Sequence, residues 1–284
     1  MRSSGSEPAL WRRLAPNARN LRAYQVLMLV LFFVVWYVLT SPTLLPPLYF
    51  DQPNKAAFFF GEPQKVLARI WVWFVTDRDI YRHLWVTLLE TLMAFFIGTV
   101  FGLAVGLWLA LAPVASAILD PYIKAFNSMP RLILAPIFAV WFGLGMASKV
   151  ALGVTLVFFI VFFNVYQAVR EVSPVVLASA RMLGATPRHL LRHVYLPSAT
   201  SWVFASLHNS VGLAFVGAVI GEYLGSSRGV GYLILEAEGV FDINTVFAGI
   251  LVLTAFALVL DWLVTLAETR LMVWQPRGGE TERS

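Results

Sequence analysis

The residues of this chain that could perform chemistry are few, and their spacing does not fit catalysis. The nearest approach to a phosphate-binding loop is GLGMASKV at 143–150, but Ser148 stands where the pattern needs glycine and Val150 where it needs a hydroxyl. The chain has no Gly-x-Ser-x-Gly elbow for a nucleophilic serine, no cysteine, and four histidines that form no His-Glu-x-x-His motif. We therefore predict that the chain is not an enzyme and holds neither a metal nor another cofactor.

The most distinctive polar feature is the stretch 177–197, LASARMLGATPRHLLRHVYLP, which lies between two long apolar runs. It predicts a short helix, a tight turn at Gly184-Ala185 and a second short helix. Thr186 is a good N-cap, and Pro187 suits the first helical position, where its missing N–H costs nothing. Gly184 can end the preceding helix in a left-handed conformation that other residues avoid. A motif of this kind on a hydrophobic scaffold is suited to binding another protein.

The elements that must position this loop are membrane-spanning helices. The apolar share of 59% exceeds that of ordinary soluble domains, and long apolar runs of spanning length recur. They lack the short alternating pattern of a membrane β-barrel. We expect an all-α polytopic membrane protein in which six transmembrane helices form a membrane domain at 23–272, with a cytoplasmic loop at 170–197 between spans 4 and 5. The spans are predicted at about 24–40, 83–111, 119–141, 149–169, 198–223 and 246–272.

The placement of arginine predicts the orientation of these spans. Arginines precede the first span, occur in the loop at 170–197 and follow the last span, which is the distribution of the positive-inside rule. We expect a multi-pass protein of a bacterial cytoplasmic membrane with cytoplasmic tails at 1–22 and 273–284. The net charge of +5 then reflects topology rather than nucleic-acid binding. The external segment 41–82 is rich in tryptophan and tyrosine, which favours a helix lying at the membrane interface.

Two predicted spans contain residues that change how a helix packs or bends. Three glycines at a spacing of four lie on one face of the second span: Gly98, Gly102 and Gly106. They permit close approach of a neighbouring helix, and we favour packing within the chain over a dimer seam. Three prolines occur in the third span: Pro121, Pro130 and Pro136. Prolines in a membrane helix are tolerated where neighbours or a cavity satisfy the freed backbone carbonyls.

Polar residues at membrane depth are candidates for a translocation path, because an ionisable side chain there costs about 2.5–3.5 kcal/mol on insertion scales. Arg131 follows Pro130, and we hypothesise that it faces a central cavity and favours an anionic substrate; a structural ion pair or snorkelling to the interface is the alternative. Glu222 ends the fifth span at a plausible outer gate. Further candidates are Glu90, Asp261, Glu268, Asn164 and Asn209, although interhelical hydrogen bonding would also explain the two asparagines.

The polar loop resembles a known family signature: Glu-Ala-Ala, three residues, Gly, nine residues, Ile, one residue, Leu-Pro. The matching positions are Ala178, Ser179 and Ala180, then Gly184, Val194, Leu196 and Pro197. This is the signature of the membrane-spanning permease subunit of bacterial binding-protein-dependent ABC importers. The chain departs from it at Ala178, where the family has glutamate. SMPRLILAPIFAVWFGLGMASKV at 128–150 and SSRGVGYLI at 226–234 look like the nitrate/sulfonate/taurine subgroup, and the similarity spans about 60–272.

The resemblance implies a function and a set of partners. The loop would dock in a cleft of a separate cytoplasmic ATPase, which alone uses ATP and is present in two copies. An external solute-binding protein, periplasmic or lipid-anchored, and a second permease chain, expected to be identical, would complete the importer. The implied ATPase-coupling residues are Ala178, Ser179, Ala180, Arg181, Gly184, Ala185, Thr186, Pro187, Arg188, Val194, Leu196 and Pro197.

The subgroup implies a small anion as solute, and two alternatives stay open. Related permeases serve vitamin precursors of the pyrimidine or flavin type. A secondary transporter, from another class, would need ion-coupling residues in broken helices and an inverted repeat, neither of which the sequence shows.

Overall fold

The computed structural model of the chain describes residues 18–41, 55–198 and 207–271. Every regular element in these ranges is helical, which confirms the predicted all-α fold class. Five parts of the predicted layout lie outside the described residues: 1–17 of the N-terminal tail, 42–54 of the external segment, 199–206 of the fifth span, residue 272 of the sixth span and the C-terminal tail 273–284.

The chain divides into two compact units at Arg69. The first unit contains α1 (Ala18–Thr40), α2 (Lys55–Phe60) and most of α3 (Pro63–Trp71). Helix α1 begins inside the predicted tail, where Ala18, Arg19 and Leu21 favour a helix and no glycine or proline interrupts it. The indole Nε1 of Trp36 donates a hydrogen bond of 3.0 Å to the Phe60 carbonyl and so links α1 to α2.

The second unit holds the remaining helices. They are α4 (Ile80–Leu111), α5 (Pro113–Ser128), α6 (Ala135–Phe142), α7 (Met146–Arg170), α8 (Pro174–Met182), α9 (Pro187–Leu190), α10 (Leu207–Leu224), α11 (Val230–Gly239) and α12 (Ile243–Leu271). A π-helical turn follows α3 at Val72–Thr76, a second follows α9 at Leu191–Tyr195, and a 3-10 turn at Arg131–Leu134 precedes α6.

Four helical stretches of the described chain are long and apolar enough to cross a membrane: Leu21–Thr40, Ile80–Leu111, Met146–Arg170 and Ile243–Glu268. The pair Pro113–Ser128 and Arg131–Phe142 gives a fifth if it is counted as one bent span. Helix α10 is apolar but shorter within the described residues. The described chain thus contains four or five candidate spans, and the count of six stays a prediction.

The predicted third span, at 119–141, is not continuous. The helix pair that replaces it is bent by 84° between Ser128 and Arg131. Pro130 lacks a backbone N–H, and a residue before proline avoids the helical region; Met129 accordingly has ψ of 133°. Pro121 is accommodated inside α5, and Pro136 lies in the first turn of α6, where proline is tolerated. The break brings irregular backbone next to Arg131.

The core of the second unit is the packing of α4, α7 and α10 against one another. The three glycines predicted to permit close approach face three valines of α7. A Cβ on Gly98 would lie 2.7 Å from Val157 Cβ, and one on Gly102 would lie 2.8 Å from Val161 Cβ. The third pair is Gly106 and Val165, at 3.1 Å. The predicted packing within the chain is therefore confirmed: the glycines form a groove for the valine ridge of α7.

We predict that Gly102→Val destabilises the protein by roughly 1–3 kcal/mol, because the new side chain overlaps the α7 backbone and Val161. Gly212→Val is the matched control, since a Cβ at Gly212 meets no atom within 4 Å. The measurement is the thermal unfolding midpoint in detergent, which should fall for the first variant and stay near wild type for the second. Equal midpoints would show that the close approach of α4 and α7 contributes little to stability.

Candidate functional site

The polar loop folds as two short helices joined by a glycine turn. Gly184 has φ of +83°, in the left-handed region that glycine adopts without steric cost. The Ala185 N–H donates to the Ala180 carbonyl and the Gly184 N–H to the Arg181 carbonyl, each at 3.0 Å. This pair of bonds is a Schellman motif, which satisfies the last carbonyls of α8. The turn lies at the Gly184-Ala185 position that the sequence predicts.

The second short helix starts at the predicted cap. The Thr186 hydroxyl accepts a hydrogen bond from the His189 N–H at 3.4 Å, and Pro187 occupies the first helical position. Leu190 is buried and anchors α9 on the bundle. Val194 lies in the π-helical turn that continues the helix, and Leu196 and Pro197 extend it toward the fifth predicted span. The loop is thus fixed at both ends, while its tip projects.

The tip of the loop presents apolar and cationic side chains to its surroundings. Met182 and Leu183 are 82% and 89% exposed, and Arg181 and Arg188 are also exposed. Beside them lies a groove of about 660 Å³, whose lining includes both arginines, Leu190 and residues of the π-helical turn. Exposed apolar side chains next to exposed guanidinium groups are typical of a surface that another protein covers.

A polar contact links the loop to the broken helix pair. At the end of α7, the Arg170 guanidinium donates to the Tyr166 hydroxyl at 2.6 Å and lies 5.4 Å from the ring centroid. The same hydroxyl is 2.5 Å from the Ser116 hydroxyl in the first turn of α5. Sequence reasoning missed this contact, because no local pattern relates the two helices. It joins the end of α7 to the first turn of α5.

Arg131 lies at the break between α5 and α6. Its guanidinium donates to the Asn127 carbonyl at 3.1 Å and to the Asn127 side-chain oxygen, and it lies 4.5 Å from the Phe159 ring centroid. It makes no ion pair with a carboxylate in the described part of the chain, and its buried Nε has no acceptor there. The positive charge is therefore held by a carbonyl dipole, an amide and an aromatic face, without a neutralising carboxylate.

The structure places three further path candidates on α7 and near opposite ends of α10. Asn164 is half-buried in the C-terminal half of α7. Asn209 is exposed near the start of α10, whereas Glu222 is fully buried at the other end of the same helix. Thirteen residues separate the two on α10, which is roughly 20 Å at 1.5 Å per residue. The site at Glu222 is therefore distinct from any site near Asn209.

Glu222 belongs to a buried polar cluster that sequence reasoning did not assemble. Glu90 of α4 and Lys149 of α7 are buried beside it, and the Glu222 carboxylate accepts a hydrogen bond of 2.6 Å from Thr87. The sequence signal was present but weak: Glu90 and Lys149 are charged residues in predicted spans, separated by many residues. In the described part of the chain, no three histidine or acidic residues come together as metal ligands would.

Comparisons with known proteins match more than half of the chain to one family model. Residues 98–273 match the family model described as binding-protein-dependent transport system inner membrane component. The putative aliphatic sulfonates transport permease protein SsuC of Bacillus subtilis is 30% identical, over 71% of this chain and 73% of the relative. The taurine transport system permease protein TauC of Escherichia coli is 28% identical, over 87% of each chain.

A vitamin-type permease and a solved structure are also similar to this chain. The riboflavin transport system permease protein RibX of Chloroflexus aurantiacus is 28% identical, over 93% of this chain and 96% of the relative. A chain of the MetNI methionine ABC transporter in inward-facing conformations aligns with a TM-score of 0.57. It is 22% identical, and the alignment covers 72% of this chain and all of that chain, which shows a shared fold.

We predict that Gly184→Val disorders the loop turn, because a β-branched residue strongly disfavours φ of +83° although open space surrounds its Cβ. Gly184→Asn is the matched control, since asparagine tolerates the left-handed region. Limited trypsin digestion in detergent measures the effect, as Arg181 and Arg188 flank the turn. Cleavage there should accelerate in the valine variant and change little in the asparagine variant. Equal cleavage in both would mean that the backbone conformation at Gly184 does not hold the loop together.

Proposed function

The chain belongs to the family of inner-membrane components of binding-protein-dependent transport systems, and from this premise we propose that it couples ATP hydrolysis on a separate subunit to the import of a small organic anion. As a member of this family it is an ABC importer permease, a multi-pass inner-membrane protein rather than an enzyme. The partner ATPase, the solute and the orientation are parts of the proposal.

The observation that carries the coupling role is the rigid, exposed loop of α8 and α9. Its glycine turn fixes the two helices relative to each other, and its tip exposes Met182 and Leu183 between arginines. Apolar side chains would be buried in a cleft of the ATPase, and Arg181 and Arg188 would donate charge-assisted hydrogen bonds at its rim. The proposed contact surface comprises Ala178, Ser179, Ala180, Arg181, Gly184, Ala185, Thr186, Pro187, Arg188, Val194, Leu196 and Pro197.

The length of α7 supports the proposed topology. Its 25 residues extend roughly 38 Å, more than the roughly 30 Å of a hydrocarbon core, and it ends directly before the coupling loop. With the loop in the cytoplasm, the start of α7 lies on the outer side, where a solute-binding protein would deliver the solute. With six spans, as the sequence predicts, both termini are then cytoplasmic. Two ATP-binding subunits and two copies of this permease form the proposed complex, as in the arrangement that the sequence resemblance implies.

The nature of the solute is proposed from Arg131 together with the relatives. The Arg131 guanidinium pairs with no carboxylate among the described residues. At the break of a membrane helix such a group attracts an anion, and sulfonate groups accept the paired hydrogen bonds that guanidinium donates. The similarity to sulfonate and taurine permeases supports the same class. A vitamin precursor is the second candidate, supported by the riboflavin permease match.

We predict that the chain, tagged and purified in mild detergent from its source cells, carries with it a protein that photolabels with 8-azido-ATP. Leu183→Asp should remove this labelled protein from the purified complex, because a carboxylate would be desolvated in the apolar contact. Leu183→Met is the control and should retain the labelled protein, since it keeps an apolar side chain of similar volume. A labelled partner that is retained equally by both variants would place the ATPase contact elsewhere, and no labelled partner at all would refute the coupling role.

We predict that Arg131→Ala lowers uptake of radiolabelled taurine by about tenfold or more in cells, because a charge-assisted bidentate contact is lost. Arg131→Lys should retain part of the uptake, since it keeps the charge but not the paired geometry. The thermal unfolding midpoint of each variant controls for loss of the Asn127 and Phe159 contacts. Unchanged uptake in a stable alanine variant would show that Arg131 is structural, and selective uptake of riboflavin would favour the vitamin-type alternative.

A further inference from the structure

The N-terminus of α11 is capped by side chains of two other helices. His83 Nδ1 pairs with the backbone of Gly229, at 3.1 Å from its nitrogen and 3.0 Å from its carbonyl oxygen, and the N–H of Val230 donates to the Thr87 hydroxyl at 3.2 Å. The N–H of Gly231 donates to a carboxylate oxygen of Glu222 at 2.8 Å. These three N–H groups have no partner within a helix of their own, so α4 and α10 supply what α11 lacks.

The cap depends on glycine at the start of α11. Gly229 has φ of +106°, and a Cβ built there would overlap the Glu222 carboxyl group. A Cβ on Gly231 would lie 2.9 Å from Glu222 Cβ. The helix end and the carboxylate are therefore in direct contact, with no room for a side chain between them. A carboxylate in this position also interacts favourably with the positive end of the helix dipole.

Thr87 and Lys149 complete the surroundings of this carboxylate. The Thr87 hydroxyl accepts a hydrogen bond from the Val230 N–H and donates one of 2.6 Å to the Glu222 carboxylate. The Lys149 ammonium donates to the Leu144 carbonyl and, at 2.8 Å, to the Gly145 carbonyl, and it faces the carboxylate from α7. A buried carboxylate needs this kind of compensation, because an uncompensated charge is costly inside a protein or a membrane. Four helices thus meet at Glu222.

Glu90 is buried in the same cluster but contributes differently. Its carboxyl group lies beside Glu222, and its Oε2 has no hydrogen-bond partner in the described part of the chain. It accepts no N–H from α11. The two glutamates are therefore a natural comparison: both are buried carboxyl groups at the same place, and only Glu222 holds the helix end.

This cluster lies at the end of the bundle away from the coupling loop. Lys149 is 21 residues before Arg170 on α7, which is roughly 30 Å along the helix. We call this region, formed by the start of α4, the start of α7, the end of α10 and α11, the distal end. An importer must open there to admit a solute and close there to prevent leakage.

We propose that α11 is the gate of the distal end, and that Glu222 and Thr87 position it by holding its N-terminus on α4 and α10. The gate role of α11 rests on the proposed transport function. The docking of α11 by the two side chains does not, because it follows from the hydrogen bonds and the close glycine contacts alone. Release of the cap frees the helix end to move, since nothing else in the described chain satisfies these N–H groups.

The experiment uses a reporter cysteine, which is unambiguous because the chain has no cysteine of its own. Ala237 is a small residue of α11 that is 5% exposed, so Ala237→Cys is protected while α11 is docked. The purified full-length permease in detergent is reacted with a hydrophilic maleimide, and the labelling rate is measured. Thr87→Val in this background removes two hydrogen bonds without changing side-chain shape and should raise the rate by about tenfold.

Three further variants separate docking from general loss of structure. Thr87→Ser keeps the hydroxyl and should restore the slow rate. Glu222→Gln, which weakens the cap, should accelerate labelling, whereas Glu90→Gln, which loses no bond to α11, should leave it unchanged. Equal rates in the Thr87→Val and Thr87→Ser proteins, or equal acceleration by the two glutamine variants, would overturn the docking role.

A transport measurement then tests the gate. In proteoliposomes without ATP, Thr87→Val should leak labelled taurine inward and Thr87→Ser should not. Fast labelling without leakage would show that α11 is held by Glu222 and Thr87 but does not gate the path. Absence of any ATP-labelled partner would refute the proposed function while leaving the labelling result intact, so the two failures are distinguishable.

Discussion

The close backbone approach of α4, α7 and α10 is the constraint on which the rest of the structure depends. Helices in a membrane gain little from the hydrophobic effect on association, so tight van der Waals contact between small residues must hold them together. Glycines supply that contact on both sides of α7. Gly102 lies against Val161, and on the other face a Cβ on Gly217 would lie 2.6 Å from the Gly153 Cα. Any larger residue at these points would force the helices apart.

Helix α7 is central because it touches both functional regions. Its last residue leads into the coupling loop, and its first turn holds Lys149 opposite Glu222. A close-packed helix cannot deform continuously and therefore moves as a body with its neighbours. In the proposed importer, displacement of the loop by the partner ATPase would be transmitted along α7 to the distal end, where α11 is docked. The Tyr166 contact extends the same movement to the broken pair α5 and α6.

The sequence predicts features whose cause is local and misses those whose cause is tertiary. The turn at Gly184 follows from a glycine before a threonine cap and a proline, all within four residues. The glycine face of α4 follows from helical periodicity alone. Pro130 indicates a distortion where the 84° break occurs. The presence of a proline does not by itself show whether a helix is kinked or changes direction sharply. Glu222 itself is a candidate from the sequence, but its contact with Thr87 could not be predicted, because the two residues lie 135 positions apart along the chain.

The central claim is that ATP hydrolysis on another subunit drives solute import through this chain. The most direct test is uptake by proteoliposomes that contain the permease, its ATPase and its solute-binding protein. We expect radiolabelled solute to accumulate only when ATP is present on the side that carries the coupling loop, and to be unaffected when proton and sodium gradients are dissipated. Uptake without ATP that follows an ion gradient would contradict the account and would identify the chain as a secondary transporter.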